Sequence, residues 1–199
     1  NLKRNSAYFS YKTIISIYKT IVRPKLEYAS IVWSPFEATY SHRIEALQHK
    51  FLRYLYYKKH RTAAPIDQST TSMLAEFGVE RLRYRRICNK ISFLRAILRG
   101  DVDDDELSQT VEQLRRVPSA CPRATHDSSV FLIPRTRTVS HSNSPLFSSL
   151  TNWNIISNKV PNMDPAWSKS RVKKSVLTTL AAIDRDTTDE GTSLSSRLF

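Results

Sequence analysis

The one acidic cluster, Asp101, Asp103, Asp104, Asp105 and Glu106, is the first place to look for chemistry, because grouped carboxylates can hold divalent ions. It follows one predicted helix and opens another, with no apolar strands beside it, so the carboxylates read as helix capping and solvated charge. His42 and His49 are seven apart on one side of a predicted helix, which suits a basic face better than a metal site. Cys121 and His126 are five apart, but no second Cys or His pair stands at ligand spacing, so a zinc site is poorly supported. There is no Gly-rich phosphate loop, no Ser- or Cys-based nucleophile elbow, and no Asp/Glu/His/Asn grouping suited to a nuclease. No catalytic residue and no metal ligand is assigned.

What remains is charge. Residues 1–100 hold 19 Lys/Arg against 6 Asp/Glu, whereas residues 101–199 hold 12 of each, so the whole excess of +13 lies in the first half. Such an excess suggests a polyanionic partner, most simply nucleic acid. Two predicted helices carry it. One, with its exit, bears Arg43, Lys50, Arg53, Lys58, Lys59 and Arg61, interleaved with Tyr54, Tyr56 and Tyr57. The other bears Arg81, Arg83, Arg85, Arg86 and Lys90, with Arg95 and Arg99 beyond. The cations can neutralise phosphates while exposed rings stack on unpaired bases. The plainer alternative is that Tyr54 and Tyr57 fill a core and the cations merely solvate their helices.

The elements that must position these groups are helical. With 3 glycines in 199 residues, the composition argues against a β architecture built on tight turns. The pattern predicts a mainly α protein: an irregular multi-helix bundle with a loop-rich C-terminal half and a disordered tail. Apolar spacing predicts a helix over 9–22, broken at Arg23-Pro24, and a second ending at Ser34-Pro35 with Trp33 as a core anchor. Glu27 is expected to pair with Lys25, Arg23 or a neighbouring helix. A third helix, capped by Ser41, runs to Tyr57 with Ile44, Leu47, Phe51 and Leu55 inward. Helices over 69–77, stopped by Gly78, and over 79–99 follow. Then come helices over 103–116, 144–150 and 164–180, with a loop from 117 to 143 holding a β-prone run at 130–133. The polar tail 184–199 reads as disordered. Charge and pattern together give a basic region 1–100, a neutral region 101–183 and the tail. No run of about 18 apolar residues occurs, so no membrane span is expected. Cys88 reads as a buried thiol and Cys121 as incidental, which fits a reducing compartment.

The segment YKTIVRPKLEYASIVWSPFEATYSHRIEALQHKFLRYLYY, residues 18–57, closely resembles the stretch just after the catalytic domain of non-LTR retrotransposon reverse transcriptases of the jockey-like and R1-like type. The matching positions are Tyr18, Ile21, Val22, Arg23, Pro24, Leu26, Glu27, Tyr28, Ala29, Ser30, Val32, Trp33 and Pro35, then Arg43, Ile44, Glu45, Gln48, Phe51 and Arg53. Weaker signatures extend the likeness over residues 10–180, including Ser144-Pro145 and Trp153-Asn154. The resemblance implies a thumb or post-thumb fragment of an RNA-directed DNA polymerase, holding an RNA–DNA primer–template by its backbone. The palm, with its aspartates and Mg²⁺, would lie upstream in the same polyprotein. The fragment itself would be catalytically inactive and carry no cofactor. Its setting would be intracellular, nuclear and cytoplasmic if the element is active. The competing readings are a free-standing nucleic-acid-binding remnant and a decayed copy without a selected role. An apolar stripe on the first helix further implies surface that would pack against the palm.

Overall fold

The computed structural model describes residues 2–6, 8–115, 130–160 and 163–190. It bears out the mainly α fold: among the described residues the only β feature is an isolated antiparallel bridge between Arg115 and Phe131. No helix among them is long and apolar enough to cross a membrane. Contacts divide the chain into two compact units between Arg86 and Ile87, whereas charge divides it after residue 100.

The first unit opens with a short α1 (Leu2–Asn5) and α2 (Tyr11–Ile17), which is capped by Ser10 accepting from the Thr13 N–H. Helical backbone does not break at Arg23-Pro24. It passes through a π-helical turn, Tyr18–Val22, into α3 (Arg23–Glu27), with the Arg23 N–H bonded to the Tyr18 carbonyl. The wider turn accommodates a proline that can neither donate nor tolerate the carbonyl four residues back. The break comes instead at Tyr28-Ala29, where Ala29 takes a left-handed φ of 49° before α4 (Ser30–Trp33). Trp33 is not a core anchor. It is 40% exposed, and its indole N–H donates to the Tyr28 carbonyl, folding the ring over its own turn.

Helix α5 (Ala38–His60) is longer than expected at both ends and starts from Glu37, not Ser41. Its buried residues are Gln48, Leu52 and Leu55, while Leu47, expected inside, is 53% exposed. The rotation has a polar cause. Gln48 Nε2 donates to the Glu80 carbonyl at 2.9 Å and to the Tyr18 hydroxyl at 3.3 Å, and its Oε1 accepts from the Leu82 N–H at 3.3 Å. A buried amide satisfied three ways fixes the inward face, and Leu47 is carried outward. α6 (Thr70–Phe77) has Ser69 as its cap and Gly78 at its end in the left-handed region, φ 58°, as the sequence indicates. Ile14, Tyr18, Leu52, Leu55, Met73, Leu74, Phe77 and Val79 form the core, with Tyr18 stacked on Phe51 at 4.1 Å.

Helix α7 (Leu82–Leu98) crosses the division. In the second unit its apolar residues Ile87, Cys88, Ile91, Leu94 and Ile97 are buried, the Cys88 thiol as expected. α8 (Asp105–Gln113) is capped by Asp104, whose carboxylate accepts from the Leu107 N–H at 3.0 Å, with Asp105 and Glu106 in the first turn. The acidic cluster is therefore a helix start. Residues 116–129, which include Cys121, His126 and the expected end of this helix, lie outside the described residues. The β-prone run supplies Phe131, 1% exposed, whose N–H and carbonyl are both held by the Asn154 side-chain amide at 3.0 and 2.9 Å. After a short α9 (Val139–Ser142), α10 (Pro145–Lys159) continues through Trp153-Asn154 instead of stopping at Leu150. α11 (Lys169–Glu190) starts later than expected, because Asp164 and Pro165 form a turn, and its helix enters the segment expected to be disordered.

Candidate nucleic-acid interface

The cations proposed from sequence separate into a paired set and an exposed set. Arg85 forms a two-pronged pair with Glu27 through Nε and through Nη2 at 2.8 Å, and reaches Glu80 Oε2 with Nη1 at 2.5 Å. These carboxylates push its pKa up from its already high value. Glu27 thus finds its partner on a neighbouring helix, with Arg23 also within 3.8 Å. Arg86, 3% exposed, donates to Ser41 Oγ at 3.1 Å and lies 3.6 Å from Glu45. Burial pushes the Glu45 carboxyl up while Arg86 and the Arg83 N–H, 2.7 Å away, pull it back. Burial likewise lowers Arg86. These arginines bind α7 to α3 and to α5, and a phosphate could reach them only by displacing a carboxylate. Both were assigned to nucleic-acid binding from sequence, and in the fold their guanidinium groups lie against carboxylates.

Several other assigned cations are occupied within the first unit. Arg53 donates to the Ala64 carbonyl at 3.1 Å, and Arg81 to Thr71 Oγ1 at 2.7 Å. Lys59 pairs with Glu76 at 2.6 Å, and His60 meets the same oxygen at 2.7 Å. The Lys59 bond pulls the Glu76 pKa below its usual value. His49 turns to α6, 2.9 Å from Thr70 Oγ1, and does not belong to an exposed face with His42. Arg83 is half-buried, as are Lys58 and, in the second unit, Lys90.

Arg43, Lys50 and Arg61 are exposed, and no ion pair among the described residues engages them. Arg43 and Lys50 lie on one side of α5, since seven residues is two turns, and Arg61 caps the end of the helix 18 residues, about 27 Å, beyond Arg43. The same side carries Tyr40, Leu47 and Tyr57, each 50–53% exposed, and Lys58 lies close to it. The result is a stripe of cations alternating with rings and one leucine. Phosphates attract the cations, and sugars or bases can lie on the apolar groups between them. Leu47 and Tyr40 were not legible as part of it, because their outward position follows from the inward turn of Gln48.

Among the described residues no group of three or more His, Cys, Asp or Glu is placed to hold a metal ion. No family model, no curated protein and no solved structure matches the chain.

Proposed function

We propose that the first unit grips nucleic acid by its backbone, without sequence preference, through the exposed stripe of α5. We further propose, from the likeness carried by residues 18–53, that the chain belongs to the thumb side of a reverse transcriptase of non-LTR retrotransposon type. In such a polymerase the palm and its Mg²⁺ perform RNA-directed DNA synthesis, and this segment supplies hold on the RNA–DNA duplex. The observation carrying the reading is the alternation of Arg43 and Lys50 with exposed Tyr40, Leu47 and Tyr57 along one side of α5, with exposed Arg61 at its capped end. Phosphate contacts fix position without reading bases, so affinity should be similar for unrelated sequences.

The test is charge reversal by Arg43→Glu with Lys50→Glu, measured by fluorescence anisotropy on an RNA–DNA duplex. Both residues are exposed, so the helical signal and melting temperature should stay unchanged. Affinity should fall by roughly tenfold or more at moderate salt. Unchanged affinity in a folded double variant would remove the grip from α5.

A further inference from the structure

An open cleft of about 490 Å³ in the first unit is lined by Tyr8, Phe9, Ser10, Tyr11, Lys58 and Arg61. It is formed where the segment entering α2 meets the C-terminal end of α5. We infer that this cleft takes a single unpaired nucleotide of a nucleic-acid strand, its base against the rings and its phosphate on the two cations. The inference rests on nucleic acid being the partner, and adds to it a place where one base leaves the stack.

Volume, charge and surface point the same way. The volume lies within the ~300–1,000 Å³ of small-ligand clefts. An apolar guest would not answer the positive charge that Lys58 and Arg61 bring to the cleft lining, and a bare anion would make no use of the rings. A nucleotide answers to both, since a planar base stacks on aromatic faces while its phosphate pairs with cations. Tyr8 is 100% exposed and Phe9 45%, so neither ring is spent on the core. Tyr11 is braced from outside the cleft lining, where Lys59, itself held by Glu76, lies 6.0 Å from its ring centre.

The backbone adds an independent observation. α5, α6 and the turn after α7 each end on a left-handed residue: Arg61 at φ 61°, Gly78 at 58° and Gly100 at 69°. Glycine holds that conformation without strain, and a side chain there is costly. The strained exception is the arginine at the cleft. Ala29, φ 49°, is the other non-glycine residue in this region, so the strain by itself marks no ligand; at Arg61 it falls on a residue that lines the cleft.

The experiment compares a short single-stranded oligonucleotide with an abasic strand of equal length and charge, and with a duplex, on the full chain. The variants are Tyr8→Ala and Arg61→Gly. The base-bearing strand should bind roughly fivefold or more tighter than the abasic one, and Tyr8→Ala should abolish that preference while leaving duplex affinity intact. Arg61→Gly should raise the melting temperature while weakening single-strand binding severalfold, separating a binding role from a structural one. If the abasic strand binds as well as the base-bearing one, or Tyr8→Ala changes nothing while the duplex still binds, the cleft is not a nucleotide site although the α5 grip stands. If neither strand nor duplex binds, both readings fall.

Discussion

The two oxygens of Glu27 are committed to Arg85 on another helix. Removing the arginine leaves a largely buried carboxylate without its main partner, which is strongly destabilising even where the intact pair contributes little. Arg85→Ala should therefore cost roughly 3 kcal/mol in denaturant unfolding, the low end for a buried pair because Glu80 is part-exposed. Arg85→Lys should recover little of it, since an ammonium cannot reproduce the planar fork. A loss below about 0.5 kcal/mol for Arg85→Ala would show the pair to be incidental. Tyr18 makes a second case. Burial, opposed by the Gln48 hydrogen bond, pushes its hydroxyl up to about 12. A raised acid holds its proton longer when folded, so its contribution is full below the usual tyrosine value of 10 and is lost as pH rises toward 12. Tyr18→Phe should flatten alkaline unfolding in that window, and an unchanged pH profile would contradict the assignment. A Glu27 pair to a neighbouring helix was among the expectations, but charge and periodicity could not single out Arg85, 58 residues away, and they read Tyr18 only as apolar.

Helix positions were read better than helix faces. The Ser69 and Gly78 boundaries of α6 were legible, because an N-cap hydroxyl and a left-handed glycine act locally. The inward face of α5 was not, because Gln48 looks like a surface residue until Tyr18, Glu80 and Leu82 are brought to it. In the second unit, Trp153-Asn154 was taken to follow a helix ending at Leu150, yet α10 runs on and Asn154 clasps the backbone of Phe131, a contact between segments that periodicity cannot see. The junction of α5 with α6 gives a prediction at this scale. Glu76 accepts from Lys59 and meets His60, and its pKa is lowered from 4.5. A lowered acid contributes stability above its unfolded value and loses it as pH falls through the folded one. Melting temperature should therefore drop below about pH 4.5 in the parent chain, and Glu76→Gln should remove part of that drop. Identical acid profiles for the two would show that the α5–α6 clamp is not ionic.

Across the whole molecule the excess charge is a property of the sequence, but its usable portion is set by folding. The arginine-rich start of α7 secures helices within the first unit, whereas Arg43, Lys50 and Arg61, of the cations assigned from sequence, stay exposed along α5 and at its end. Total charge therefore overstates the surface that a polyanion can meet, and the basic half of the chain contains both a scaffold and an interface. The most direct measurement is the salt dependence of binding to an RNA–DNA duplex, for the parent chain and for Arg43→Glu/Lys50→Glu. Backbone contact predicts a steep loss of affinity with salt for the parent, and a slope smaller by roughly 2 in the variant, similarly for unrelated sequences. Parallel slopes for the two proteins, or binding indifferent to salt, would contradict a grip through this face.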